Sequence, residues 1–154
     1  MKEAFESDTI FYWQNVGLEQ FTLTAQEKGY NLTEEFEWDS LEDLQKYIEK
    51  EGVTHASNKE EDKWEFVACY HYLGEVINKH FDLDWDLCKD GTAHNGMYII
   101  SITGDSNTYL VPRDIIISVI LGRMEEGLKV YVEEYVKDED IDFTWLDGME
   151  EKDQ

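Results

Sequence analysis

Positive charge is what this sequence has least of. Its 13 lysines and arginines face 36 aspartates and glutamates, for a formal net charge of −23. No tail holds the excess, because residues 1–77 carry 18 acids and 6 bases and residues 78–154 carry 18 acids and 7 bases. Keeping a small domain dissolved needs a net charge of magnitude roughly 2–8. So negative a surface excludes nucleic acid and anionic membrane as partners and draws in basic ones. An acidic proteome is the bland alternative. Proline is almost absent too, with Pro112 alone, which argues against a rigid linker. The two cysteines, Cys69 and Cys88, form neither a metal spacing nor a disulfide framework. Reduced thiols are expected, a Cys69–Cys88 bridge being the alternative. No stretch approaches the roughly 20 apolar residues that span a bilayer. The opening residues, MKEAFESDTIFYW, have acids where a secretion leader carries bases. A soluble, cytoplasmic protein is the expectation.

What the chain does have is core material. With 42% hydrophobic and 14% aromatic residues in 154, it reads as one folded domain and not as a disordered acidic chain. The stretch from Asn58 to Gly91 organises the rest. Asn58, with Glu61 three residues on, has the form of a helix start. Phe66, Cys69, Tyr70, Leu73, Val76, Ile77, His80 and Phe81 then recur at helical spacing. Beyond Phe81 the period changes to two: Leu83, Trp85 and Leu87 alternate with Asp82, Asp84 and Asp86, the pattern of a half-buried strand with an acidic ridge.

Upstream, residues 8–28 read as a helix closed by Gly29, and a second helix should run from about Ser40 to Glu51 with Gly52 closing it. Downstream, residues 97–103 and 108–111 are β-rich and, with 82–88, predict a three-stranded antiparallel meander. Pro112 fits the first turn of a helix that Gly122 and Gly127 loosen before Leu128 resumes it. The expected class is α+β, helices packed on a small three-stranded antiparallel sheet. Residues 1–137 are expected to form the single domain and 138–154 an acidic, mobile tail.

Groups that would converge on chemistry are few. His71 and Glu75 lie four apart on the central helix, but a zinc-protease helix needs two histidines at that spacing, and a structural His–Glu hydrogen bond is the better account. Asp82, Asp84 and Asp86 imitate the start of a calcium loop, yet Leu87 stands where the turn needs glycine and Ala93 where it needs glutamate. Cys69 and His71 are two apart and point in divergent directions on a helix. Neither an enzyme, a metal site nor a cofactor is expected.

Tyr72-Leu73-Gly74-Glu75-Val76-Ile77, followed by Trp85 on a strand and a Pro112-led helix with Arg123 and Gly127, resembles a layout found in small bacterial domains. Some of those have no known function. Others are immunity proteins encoded beside secreted or contact-delivered toxins, which act in bacterial competition as antitoxins. The resemblance covers about residues 64–136 and implies a toxin inhibitor that binds protein. The residues read by themselves give Gly74, Glu75, Trp85 and Pro112 a packing role, with Glu75 accepting a backbone N–H or pairing with Arg113 or Arg123.

The reading that joins charge and resemblance is a cytoplasmic immunity protein that occludes a basic toxin domain acting on nucleic acid or a nucleotide. Asp82, Asp84, Asp86, Asp90 and Asp105 would meet the toxin's bases, and Trp38 and Trp145, as exposed aromatics, would anchor the contact. A nucleic-acid mimic that blocks DNA-binding proteins, a small enzyme using His71 and Glu75, and an acidic regulatory domain are the competing readings.

Overall fold

The computed structural model describes residues 12–81, 84–87, 98–101, 109–123 and 127–136. A π-helical turn, Trp13–Gly17, leads into α1 (Leu18–Glu27). After a connection come α2 (Ser40–Lys50) and the long α3 (Glu60–Phe81). Three short strands follow, β1 (Asp84–Leu87), β2 (Tyr98–Ser101) and β3 (Tyr109–Leu110), then α4 (Pro112–Ile120) and α5 (Leu128–Val136).

Local chemistry explains the helix ends. At the end of α1 the Gly29 N–H bonds the Gln26 carbonyl (3.0 Å) and the Tyr30 N–H bonds the Ala25 carbonyl (3.0 Å). The turn needs a left-handed residue, and Gly29 takes it at φ 95°. Gly52 does the same after α2 at φ 68°, with the Val53 N–H on the Ile48 carbonyl at 3.2 Å. The third instance revises the expectation of one loosened helix over 112–136. The Gly122 and Arg123 amides bond the Val119 and Ser118 carbonyls, so α4 stops and α5 is a separate helix.

Helix starts diverge more from the sequence rules. Asp39 precedes α2 without capping it, its carboxylate being taken by Lys129 at 2.8 Å. The Ser40 hydroxyl instead donates to the Glu37 carbonyl. Before α3 the organising side chain is Ser57, not Asn58: its hydroxyl donates to Asp62 (2.6 Å) and accepts from the Lys59 N–H (3.1 Å). Pro112 occupies the first turn of α4, where its missing N–H costs nothing.

The α+β expectation is overturned, because the body of the protein is helical. α3 packs against α1, α2 and α4, and α2 also packs against α4 and α5. Phe21, Leu41, Leu44, Tyr47, Tyr72, Leu73, Ile77 and Ile116 all lie in one buried core contributed by helices. From the strands, Trp85 packs against that core, half-buried. The strands have four, four and two residues, paired antiparallel in the order β1-β2-β3. Alternation in the sequence suggests a sheet as a core layer. α3, apolar on more than one side, is covered by α1, α2 and α4, and β1 meets it through Trp85.

Two glycines position the aromatic residues that flank α3. Trp13 folds back over Gly17, where a Cβ would stand 2.4 Å from the ring. Trp85 lies on Gly74, where a Cβ would stand 2.1 Å from Cζ2 and 2.2 Å from Cη2. Each glycine therefore admits a tryptophan face directly onto helix backbone.

Candidate functional site

The connection between α1 and α2, with the first turn of α2, reads Glu34-Glu35-Phe36-Glu37-Trp38-Asp39-Ser40-Leu41-Glu42-Asp43. It has acids throughout and not one base. Such a run repels itself and needs external bonds to hold a shape. α3 supplies them. The Tyr72 hydroxyl, deep in the core, shares its proton between Ser40 Oγ (2.9 Å) and the Thr33 carbonyl (3.1 Å), and accepts from the Thr33 N–H (3.3 Å). Lys79 donates to the Glu35 carbonyl, and His80 Nε2 sits 3.1 Å from the Phe36 carbonyl. Phe36 adopts φ 50°, a left-handed conformation that a bulky residue holds only when its surroundings impose it. Its ring against Tyr72 (5.3 Å between centroids) and the bonds to its neighbours do so.

The result is a fixed backbone with outward carboxylates. Glu34, Glu35, Glu37, Asp39 and Glu42 are exposed, while Asp43 is half-buried and accepts from the Asn31 N–H at 2.7 Å. Among the described residues Glu34 and Glu37 form no side-chain ion pair. Asp39 and Glu42 meet Lys129 of α5 at 2.8 and 3.2 Å. The lysine holds the Asp39 carboxyl below its usual range, and the two carboxylates hold Lys129 above its own.

Trp38 is not the exposed anchor that the sequence suggests. It is half-buried, its indole N–H donates to Glu133 Oε1 of α5 (2.8 Å), and its ring meets His80 edge-on. Beside it, α2 and α5 border a groove of about 390 Å³ lined by Glu42, Lys46, Glu49, Lys129, Val130 and Glu133. Gln45, also in the lining, ties the two helices together by accepting the Leu128 N–H at 2.8 Å.

Asp84 and Asp86 of the proposed acidic ridge lie in β1, opposite Ser101 and Ile99 of β2. Asp82, Asp90, Asp105 and Trp145 lie outside the described residues, as do Cys88 and the 138–154 tail.

The expected His71–Glu75 hydrogen bond gives way to a different arrangement. Glu75 accepts the Trp85 indole N–H at 2.6 Å and the Gln14 amide at 3.4 Å. His71 is 1% exposed and lies between rings: Trp13 stacked at 5.3 Å, Tyr70 at 4.9 Å and Trp85 at 5.0 Å. Burial lowers its pKa to about 3, so at neutral pH it is an uncharged ring packed among rings. Burial also pushes the Cys69 thiol well above its usual range and raises Tyr70 to about 12. Cys69 is a free thiol. Arg113 pairs with the buried Asp114 at 3.1 Å. Among the described residues no cluster of His, Cys, Asp or Glu has the makings of a metal centre, and no helix is long and apolar enough to cross a membrane.

Sequence reasoning placed the acidic contact at Asp82, Asp84, Asp86, Asp90 and Asp105, took Trp38 as an anchor, and passed over the acids of residues 34–43. The signal was present as a base-free acidic run. What hid it was its place between two helices, where it reads as an ordinary polar connection. No protein-family model, curated protein or solved structure matches the chain.

Proposed function

We propose that this is a protein-binding inhibitor whose acidic face engages a basic partner, and that it serves in the cytoplasm as an immunity protein occluding a toxin domain that acts on nucleic acid or a nucleotide. One observation carries the reading: the 34–43 run presents Glu34, Glu35, Glu37, Asp39 and Glu42 outward on a backbone fastened to the helical body. Fixing like charges side by side costs energy through mutual repulsion, and an arriving set of lysines and arginines relieves that cost. Charge then sets encounter rate and partner choice, with rates raised roughly 10–1,000-fold over uncharged encounter. The toxin assignment draws on the Tyr72-to-Ile77 resemblance, and the charge supplies its chemistry.

The test is coexpression with the basic domain encoded beside this gene, in cells that the domain kills. Wild type is expected to protect, with association that slows steeply as salt rises. The triple reversal Glu34→Lys, Glu35→Lys, Glu37→Lys should keep the fold and lose protection. Protection by the triple variant equal to wild type, or an association rate indifferent to salt, refutes the proposal.

A further inference from the structure

We infer that the groove between α2 and α5 seats an arginine side chain of that basic partner. The inference rests on the proposed function and adds the place and the chemical group. The groove's volume of about 390 Å³ is at the low end of the roughly 300–1,000 Å³ of pockets that hold small ligands. It suits a long side chain and is too small for a helix.

Its walls carry matching chemistry. Lys129 is already engaged by Asp39 and Glu42, so its charge is spent inside the fold. Glu133 gives one oxygen to the Trp38 indole. Glu49, on the facing helix, makes no hydrogen bond or ion pair among the described residues. Counting Asp39, Glu42, Glu49 and Glu133 against Lys46 and Lys129, the groove and its rim are net negative. Between the carboxylates Val130 is 37% exposed, an aliphatic surface for the methylene stem of an incoming side chain. A guanidinium has donors spread over a planar fork and can pair with more than one carboxylate, whereas an ammonium is a single strongly hydrated point. Arginine therefore fits this site better than lysine.

The experiment is an NMR titration of the isotopically labelled full chain with tetra-arginine amide at low salt, tetra-lysine amide serving as the comparison. Amide shifts are expected to concentrate at Gln45, Glu49, Val130 and Glu133, with tetra-lysine binding more weakly. Glu49→Gln should weaken tetra-arginine by about fivefold, the size of one exposed ion pair. Val130→Lys should weaken it at least as much. Leu23→Lys makes the same charge change at another exposed aliphatic position and should leave binding near wild type. Equal binding by wild type and Val130→Lys overturns the inference. Shifts gathered on residues 34–37 instead also overturn it, while the basic-partner reading stands. Absence of binding by either peptide removes both.

Discussion

Replacing Gly74 with alanine sets two effects of opposite sign against each other. In an exposed helix the change stabilises, since alanine exceeds glycine by about 0.8–1 kcal/mol in helix propensity. Here the new Cβ would lie 2.1 and 2.2 Å from two carbons of the Trp85 ring, against a comfortable separation of about 3.5–4 Å. The ring cannot slide aside at no cost, because its N–H is held 2.6 Å from Glu75 Oε2 and its face meets His71 at 5.0 Å. Displacing it forfeits a hydrogen bond to a charged acceptor, about 1.5–3 kcal/mol, and a ring–ring contact of about 0.5–1.5 kcal/mol. The net expectation is a loss of about 1–4 kcal/mol, read as a lower urea midpoint with an altered tryptophan emission. A double-mutant cycle isolates the cause. In a Trp85→Ala background the same Gly74→Ala change should become neutral or stabilising by about 1 kcal/mol. If Gly74→Ala alone raises the midpoint, the ring does not sit on this glycine and the account of how β1 joins α3 is wrong.

Two further outcomes follow from the buried groups of α3. His71 has a folded pKa near 3, below its unfolded value of 6.5, so the unfolded chain takes up the extra proton as pH falls. Its contribution is intact above pH 6.5 and declines below it. Between about pH 7 and 5.5 the loss is about 1 kcal/mol, and His71→Phe should flatten that slope in urea midpoints measured across the interval; an unchanged slope would show that the ring is already protonated or exposed. Cys69, buried with its thiol held protonated, should resist a thiol-reactive dye in the native state and label stoichiometrically in urea, located by peptide mapping. Native labelling at the unfolded rate would place it at the surface.

The contrast between the helix ends and the strands shows what kind of information a single sequence holds. Gly29 and Gly52 end helices through bonds to carbonyls only a few residues back, so their role is visible in a short window. Likewise α3 declares itself through spacing alone. Trp38 shows the opposite. Nothing near it indicates that its indole will be taken by Glu133, a residue 95 positions away. An aromatic residue in an acidic connection looks like an exposed anchor until α5 arrives beside it.

By itself, then, the sequence determined the charge, the helix ends at Gly29 and Gly52, and the start of α4 at Pro112, because each depends on composition or on contacts within one turn. The tertiary structure alone decided that helices, not a sheet, form the core, that Trp85 spans from β1 to Gly74 and Glu75, and that residues 34–43 are drawn into a fixed acidic face. Those outcomes depend on which distant surfaces bury each other best. Periodicity tells which face of a segment is apolar, and it is silent on what that face will meet.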